Sequence, residues 1–287
     1  MSQVSFPSLA SRIRAVPVLV WALAFSIGPI LILILNSLWS SNAGVVDQTV
    51  SLSNYSSIFG SEIIRALLIR TLFIAGGAAA AATFVGFAFA YFTVRYLTNY
   101  RILITLLVVV PLWISFLMRI FAWKIILGDQ GVLNGLLIAT GIIDEPSGVF
   151  LYSPFAVGIA LLYVGIPFSY LACFATLDRI PSRLFEASSD LGASSFRTFR
   201  DVVLPIARPA IGLSFILVFI IAYGDYVTPT LVGGFAGTMV GTVVLQAFGG
   251  LNNWPLGAAL SVVVLGVGLL IVALVSAITH NRVVLED

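Results

Sequence analysis

Residues 154–177 read PFAVGIALLYVGIPFSYLACFATL, an apolar run with no polar face. Crossing roughly 30 Å of hydrocarbon takes about 20 residues of α-helix, and this run is long enough. Working outward, five further windows meet the same length: about 15–38, 68–92, 102–123, 206–226 and 256–279. Backbone groups in lipid must be hydrogen-bonded within their own segment or in a closed barrel, and barrel strands would alternate polar and apolar residues. Each window is therefore expected to be a helix. The expected fold class is an all-α integral membrane protein of about six transmembrane helices.

Composition agrees. The 287 residues are 60% hydrophobic and 9% charged, with a mean hydropathy of +1.11, whereas soluble domains carry roughly 25% charged residues. No stretch has the basic run or polar surface that a nucleic-acid-binding protein or a soluble enzyme needs. The single cysteine, Cys173, permits no internal disulfide and no thiolate metal cluster. The first apolar run begins after Arg12 and Arg14, exceeds twenty residues and lacks a small-residue cleavage site, so a retained first span is expected. The longest connecting stretches, about 39–66, 124–153, 178–205 and 227–255, are loop-sized.

The net charge of +2 matters through its placement. Arg12, Arg14, Arg95, Arg101, Arg179, Arg183, Arg197, Arg200, Arg208 and Arg282 fall in connections on one side, which predicts that side to be cytoplasmic, with both termini there and an even number of spans. Arg65, Arg70, Arg119 and Lys124 fall on the other, with Asp47, Glu62, Asp129, Asp144, Glu145 and Asp225. Pro111 and Pro167 lie inside spans and are expected to kink them.

The most charged segment, Asp178 to Pro209, lies between the fourth and fifth windows. Pro181 suits a first helical turn, Leu184, Ala187 and Leu191 recur at i, i+3 and i+7, and Gly192 suits a left-handed C-terminal cap. Ser194 or Ser195 can then cap a second short helix with Phe196, Phe199 and Val203 on one face, before Leu204-Pro205 enters the fifth span. Periodicity alone fits a hairpin lying on the membrane surface, its arginines on anionic headgroups.

The residues carry more than periodicity. Glu186-Ala187-Ser188, Gly192 and Val202-Val203-Leu204-Pro205 resemble the EAA signature of ABC importer permeases: Glu-Ala-Ala, three residues, Gly, nine residues, Ile-x-Leu-Pro. The spacing matches without a gap, with Ser188 for the third alanine and Val202 for isoleucine. Almost the whole chain resembles the spermidine/putrescine (PotB/PotH-like) permease family, notably at Pro111 to Leu137, Gly224 to Gly234 and Asn253 to Ser261.

The resemblance implies a type I, MetI-like architecture: a single transmembrane permease domain over residues 1–287, with a core of about 66–280 and a coupling loop of about 178–205. It implies that Glu186, Ala187, Ser188 and Gly192 form a coupling helix seated on a separate ATPase. A local pair of Glu186 with Arg183 is the plainer alternative, and such exposed pairs contribute little. The chain has no Gly-x-x-x-x-Gly-Lys-Ser/Thr loop, so ATP and Mg are expected on two partner ATPase subunits and no cofactor on this chain. The other implied partners are a second permease, making a heterodimer, and an extracytoplasmic solute-binding protein. Alternating access would move the solute.

For the solute path, Asp225 is the leading candidate, with Tyr223 and Tyr226 beside it and Trp113 as an addition: a carboxylate at membrane depth needs a cavity or a partner, and a polyamine would be held by carboxylates and aromatic faces. The alternative is a solvated Asp225 in the outer loop. Phe116, Tyr163 and Tyr170 are further path candidates, whereas Trp123, Tyr152, Trp254 and His280 read as interfacial. Arg119 and Lys124 would repel a polycation and are expected to snorkel. Among rival functions, an ion-coupled secondary transporter would need more buried acids, a membrane enzyme would need a nucleophile–base pair or metal ligands within the spans, to which the one histidine contributes little, and a scaffold has no need of the EAA spacing.

Overall fold

The computed structural model describes residues 9–42 and 45–279. His280, Arg282 and both chain ends lie outside the described residues, as do the side chains of Arg12 and Arg14. The chain opens with α1 (Leu9–Ser37). Two three-residue strands, Ser40–Asn42 and Val45–Asp47, pair antiparallel after it. Then come α2 (Ser53–Gly60), α3 (Glu62–Tyr96), α4 (Arg101–Val109), α5 (Phe116–Leu127), α6 (Val132–Ala139) and α7 (Pro154–Leu177). The remaining helices are α8 (Ser182–Asp190), α9 (Ser195–Thr198), α10 (Leu204–Tyr223), α11 (Val240–Phe248) and α12 (Trp254–Thr279). Among the described residues five helical runs are long and apolar enough to cross a membrane, and six if one sharply bent pair counts as a span.

That pair corrects the third window. Residues 102–123 do not form one straight helix: α4 tightens into a 3-10 turn at Val110–Trp113, Ile114 and Ser115 are extended, and the chain resumes at a 92° bend. Pro111, with its fixed φ and missing N–H, sits in that tight turn and cannot continue an α-helical ladder. Pro167, by contrast, lies inside α7, which runs unbroken from Pro154 to Leu177.

The described chain divides into two packed units. In one, residues 9–61 and Val244–Leu265, a polar knot fixes the end of α1: Asn54 Nδ2 donates to the carbonyls of Ser37 (3.1 Å) and Trp39 (2.6 Å), and the Ser37 and Tyr55 hydroxyls lie 2.7 Å apart. Phe248 there meets the Trp254 ring edge-on at 5.4 Å.

In the other unit, Glu62–Val243 with residues 266–279, α3, α7 and α10 pack against one another. Their contact surfaces are made of small residues. On α3 the buried positions Thr71, Ala75, Ala78, Ala79, Ala82, Gly86 and Ala90 follow helical spacing. A Cβ at Gly86 would lie 2.5 Å from Ser169 Cβ and 2.7 Å from the Tyr170 backbone nitrogen; one at Gly165 would lie 2.5 Å from Val218 Cγ1. Between apolar helices in lipid, close backbone approach and buried hydroxyl bonds supply the attraction that water would otherwise supply. Ser214 Oγ donates to Thr83 Oγ1 (3.2 Å) within this core.

At 1.5 Å per residue α3 is about 52 Å long, well beyond the roughly 30 Å of hydrocarbon, so its charged ends project. One projecting end carries Arg95, followed by Arg101, whose Nη1 is paired with Asp178 at the end of α7. Arg208 Nη2 donates to the Ile278 carbonyl at 2.6 Å, satisfying the last turn of α12.

Candidate functional site: the α8 hairpin and the turn after α10

Pro181 N-caps α8 with extended backbone, one position outside the first turn where its ring was expected. The far end closes as a Schellman motif: Ala193 N donates to Ser188 O (3.0 Å), Gly192 N to Ser189 O (2.9 Å), and Gly192 takes φ +74°. Ser194 Oγ accepts from Arg197 N (3.4 Å) as the cap of α9.

The second half of the hairpin differs from expectation. α9 is not a separate surface helix. It runs through a π-helical turn, Phe199–Val203, straight into α10, giving one helical run from Ser195 to Tyr223. Pro205 has no N–H to offer and its ring crowds the preceding turn; the wider π turn, closed by Leu204 N to Phe199 O, accommodates it without ending the helix. Phe196 also departs from the expected face: it is 73% exposed, while Val203 is buried and Phe199 meets Tyr91 edge-on at 5.2 Å.

On α8 the Leu184, Ala187 and Leu191 face turns outward, with Leu191 87% exposed. Phe185 and Ser188 turn inward, Ser188 Oγ lying 2.8 Å from the buried Thr198 hydroxyl. Glu186 and Ala187 are exposed. The ion pairs at this end, among the described residues, are Arg101–Asp178 and Arg200–Asp201, so Glu186 makes none with Arg183. An exposed carboxylate, Ala187 and a capped bend thus stand together on the outer side of the hairpin, with Ser188 turned inward.

Gly192 meets no neighbouring atom where its Cβ would be, so only its backbone conformation resists substitution. Gly192→Val should weaken the hairpin by about 1–2 kcal/mol, whereas Gly192→Asn, which tolerates the left-handed region, should cost less. Trypsin cleavage after Arg183 and Arg197 would read this as faster cutting in the valine variant only.

Beyond α10 the chain turns at Gly224. Asp225, 8% exposed, caps the next helical turn: its Oδ1 accepts from Val227 N (2.7 Å) and Thr228 N (3.2 Å), and its Oδ2 from the Thr228 hydroxyl. Burial raises the carboxyl's pKa above its ordinary value, opposed by those three hydrogen bonds. Asp225 is thus neither freely solvated nor free of partners. Tyr223 is buried, its ring stacked on Phe219 at 5.1 Å, and its hydroxyl has no partner among the described residues. Tyr226 is 46% exposed.

The other path candidates are scattered. Trp113 stands 78% exposed in the 3-10 turn after α4. Tyr170 is fully buried among Phe89 and Phe174 with its hydroxyl 3.0 Å from that of Thr105, a position in the packing between helices. Tyr163 meets Trp123 edge-on. Lys124 and Arg119 do not simply extend outward; Lys124 lies 5.7 Å from the Tyr152 ring centre and Arg119 5.7 Å from that of Phe116, with its Nε buried. The inward residues Phe185 and Thr198 escaped sequence reading; Phe185 carried one signal, its i, i+3 register with Ser188, and Thr198 carried none.

The chain has the fold of an ABC importer permease. It superposes on a chain of a bacterial ABC transporter that imports the acidic polysaccharide alginate, with a TM-score of 0.73 over 95% of both chains at 16% identity. Sequence gives the narrower class: residues 82–283 match the family described as binding-protein-dependent transport system inner membrane component, and the chain belongs to that family. It is therefore a multi-pass inner-membrane permease of a binding-protein-dependent transport system. Among relatives, it is 32% identical over 270 residues to the spermidine/putrescine transport system permease protein PotB of Escherichia coli (strain K12), covering 93% of this chain and 98% of that one. It is also 32% identical over 232 residues to the inner membrane ABC transporter permease protein YdcU of the same organism, covering 76% and 72%.

Proposed function

We propose that this chain is the permease subunit of an importer that moves spermidine and putrescine into the cytoplasm by alternating access. The observation that carries the solute is the identity to PotB along nearly its whole length. In this reading residues 1–287 are one permease domain with its core at about 66–280, the end bearing Arg95, Arg101 and α8 is cytoplasmic, and both termini lie there. The loop at about 178–205 seats on an ATPase, Glu186 pairing with a basic group while Ala187, Ser188 and Gly192 allow close approach. ATP and Mg are held by two such ATPase subunits, a distinct second permease completes a heterodimer, and an extracytoplasmic protein delivers the solute. Asp225, with Tyr223, Tyr226 and Trp113, serves the polycation's route. A permease for another small organic solute is the second reading, since the chain is equally identical to YdcU, whose name specifies no solute.

The test is uptake of labelled spermidine and putrescine by the reconstituted complex, dependent on ATP and on the binding protein. Glu186→Ala should leave the subunits assembled and ATP hydrolysis running while uptake falls about tenfold, the scale of losing one charge-assisted contact. Uptake of neither polyamine by the unaltered complex overturns the solute; uptake without the ATPase overturns the transporter class.

A further inference from the structure

With its outer face turned away, α8 meets the membrane core chiefly through Phe185. That ring packs against the buried cluster of Ala90, Tyr170, Cys173, Leu177, Val203 and Ala207, contributed by α3, α7 and the entry to α10. Over the ring lies the Arg95 guanidinium from the last turn of α3, 4.7 Å from the ring centre. No carboxylate among the described residues pairs with Arg95, so the ring is its charge partner. Two hollows flank this contact, about 290 Å³ on the side of Arg101 and Asp178 and about 190 Å³ on the side of Ser189 and Thr198. Phe185, Arg95 and Tyr91 line both. The ring is thus gripped by the cluster and the guanidinium, with open space to either side.

We propose that Phe185 and Arg95 are the positioning pair through which movement of the coupling hairpin is passed to α3 and the core. A planar guanidinium stacked on an aromatic face holds the ring while letting it slide, unlike a fixed ion pair. The flanking hollows give α8 room to rock about that contact. A motion starting at the exposed face of α8 therefore reaches α3 through the cation on the ring, and α7 and α10 through the apolar cluster beneath it. This inference rests on the coupling role proposed for α8.

The experiment uses the whole complex in vesicles, measuring solute moved per ATP hydrolysed, with ATPase co-purification as the assembly control. Phe185→Leu keeps apolar bulk but removes the π face; Phe185→Tyr and Phe185→Trp keep it, the larger ring entering a hollow. Phe185→Leu and Arg95→Gln should each lower solute per ATP about threefold, the scale of one exposed cation–π contact. The two aromatic variants should stay near wild type, and the Leu/Gln double variant should be no worse than either single. A wild-type ratio in Phe185→Leu, or losses that multiply in the double variant, would falsify the pairing. Loss of the ATPase from the aromatic variants as well would make Phe185 a folding residue and also overturn it. If the unaltered complex shows no ATP-dependent uptake, the coupling reading fails before any variant is compared, and this inference fails with it.

Discussion

Asp225→Asn is expected to assemble and Asp225→Ala is not. The carboxylate accepts three hydrogen bonds inside a nearly closed site. Asparagine's Oδ1 can still accept from the Val227 and Thr228 amides, and the Thr228 hydroxyl can turn to accept from Nδ2. Alanine removes the cap, at about 1 kcal/mol, and strands buried donors at about 1–3 kcal/mol each, enough together to unseat the turn. With the fold retained, Asp225→Asn isolates charge. If the carboxylate serves the polycation, spermidine uptake should fall about tenfold, with smaller loss for putrescine, which has fewer charges. Uptake by the asparagine variant at the wild-type rate would leave Asp225 a capping residue alone.

The second large effect is expected at Gly86. The atoms nearest its missing Cβ include backbone, the Tyr170 nitrogen at 2.7 Å and the Ser169 carbonyl carbon at 2.9 Å, so no side-chain rotation relieves an added methyl. At Gly165 the nearest atom is Val218 Cγ1, which can turn away, leaving the Ala82 Cβ at 2.9 Å as the one fixed obstacle. Gly86→Ala should therefore cost about 3 kcal/mol, the upper part of the overpacking range, and Gly165→Ala about 1 kcal/mol. Thermal unfolding in detergent, followed by the fraction surviving as a monodisperse species, should rank wild type first, Gly165→Ala second and Gly86→Ala last. Ser169→Gly added to Gly86→Ala should recover little, because it removes one of three obstructing atoms.

How far the sequence reaches depends on which interactions leave a local trace. Five spans and the α8 boundaries were legible because length, apolarity, Pro181 and Gly192 act on their own few residues. The third span was not, because Pro111 marks a disturbance without stating its size, and a bend of 92° is set by what α4 and α5 pack against. The join at Leu204-Pro205 was not legible either: it looks like the entrance to a separate span, and only backbone geometry shows a π turn carrying the helix past it. Side-chain direction was least legible. A fully apolar span gives no amphipathic stripe, so Tyr170 and Trp113 look alike in sequence, yet one is fully buried and the other 78% exposed.

The unbroken passage from α9 into α10 makes a single beam of Ser195 to Tyr223. At 1.5 Å per residue it is about 43 Å long, and a tilt of about 5° around one end displaces the other by about 4 Å. The α8 hairpin is bonded to one end of that beam at Thr198, and Asp225 follows the other by two residues. Leverage along this one helix can then reach Asp225, beside what the Phe185–Arg95 contact passes to α3.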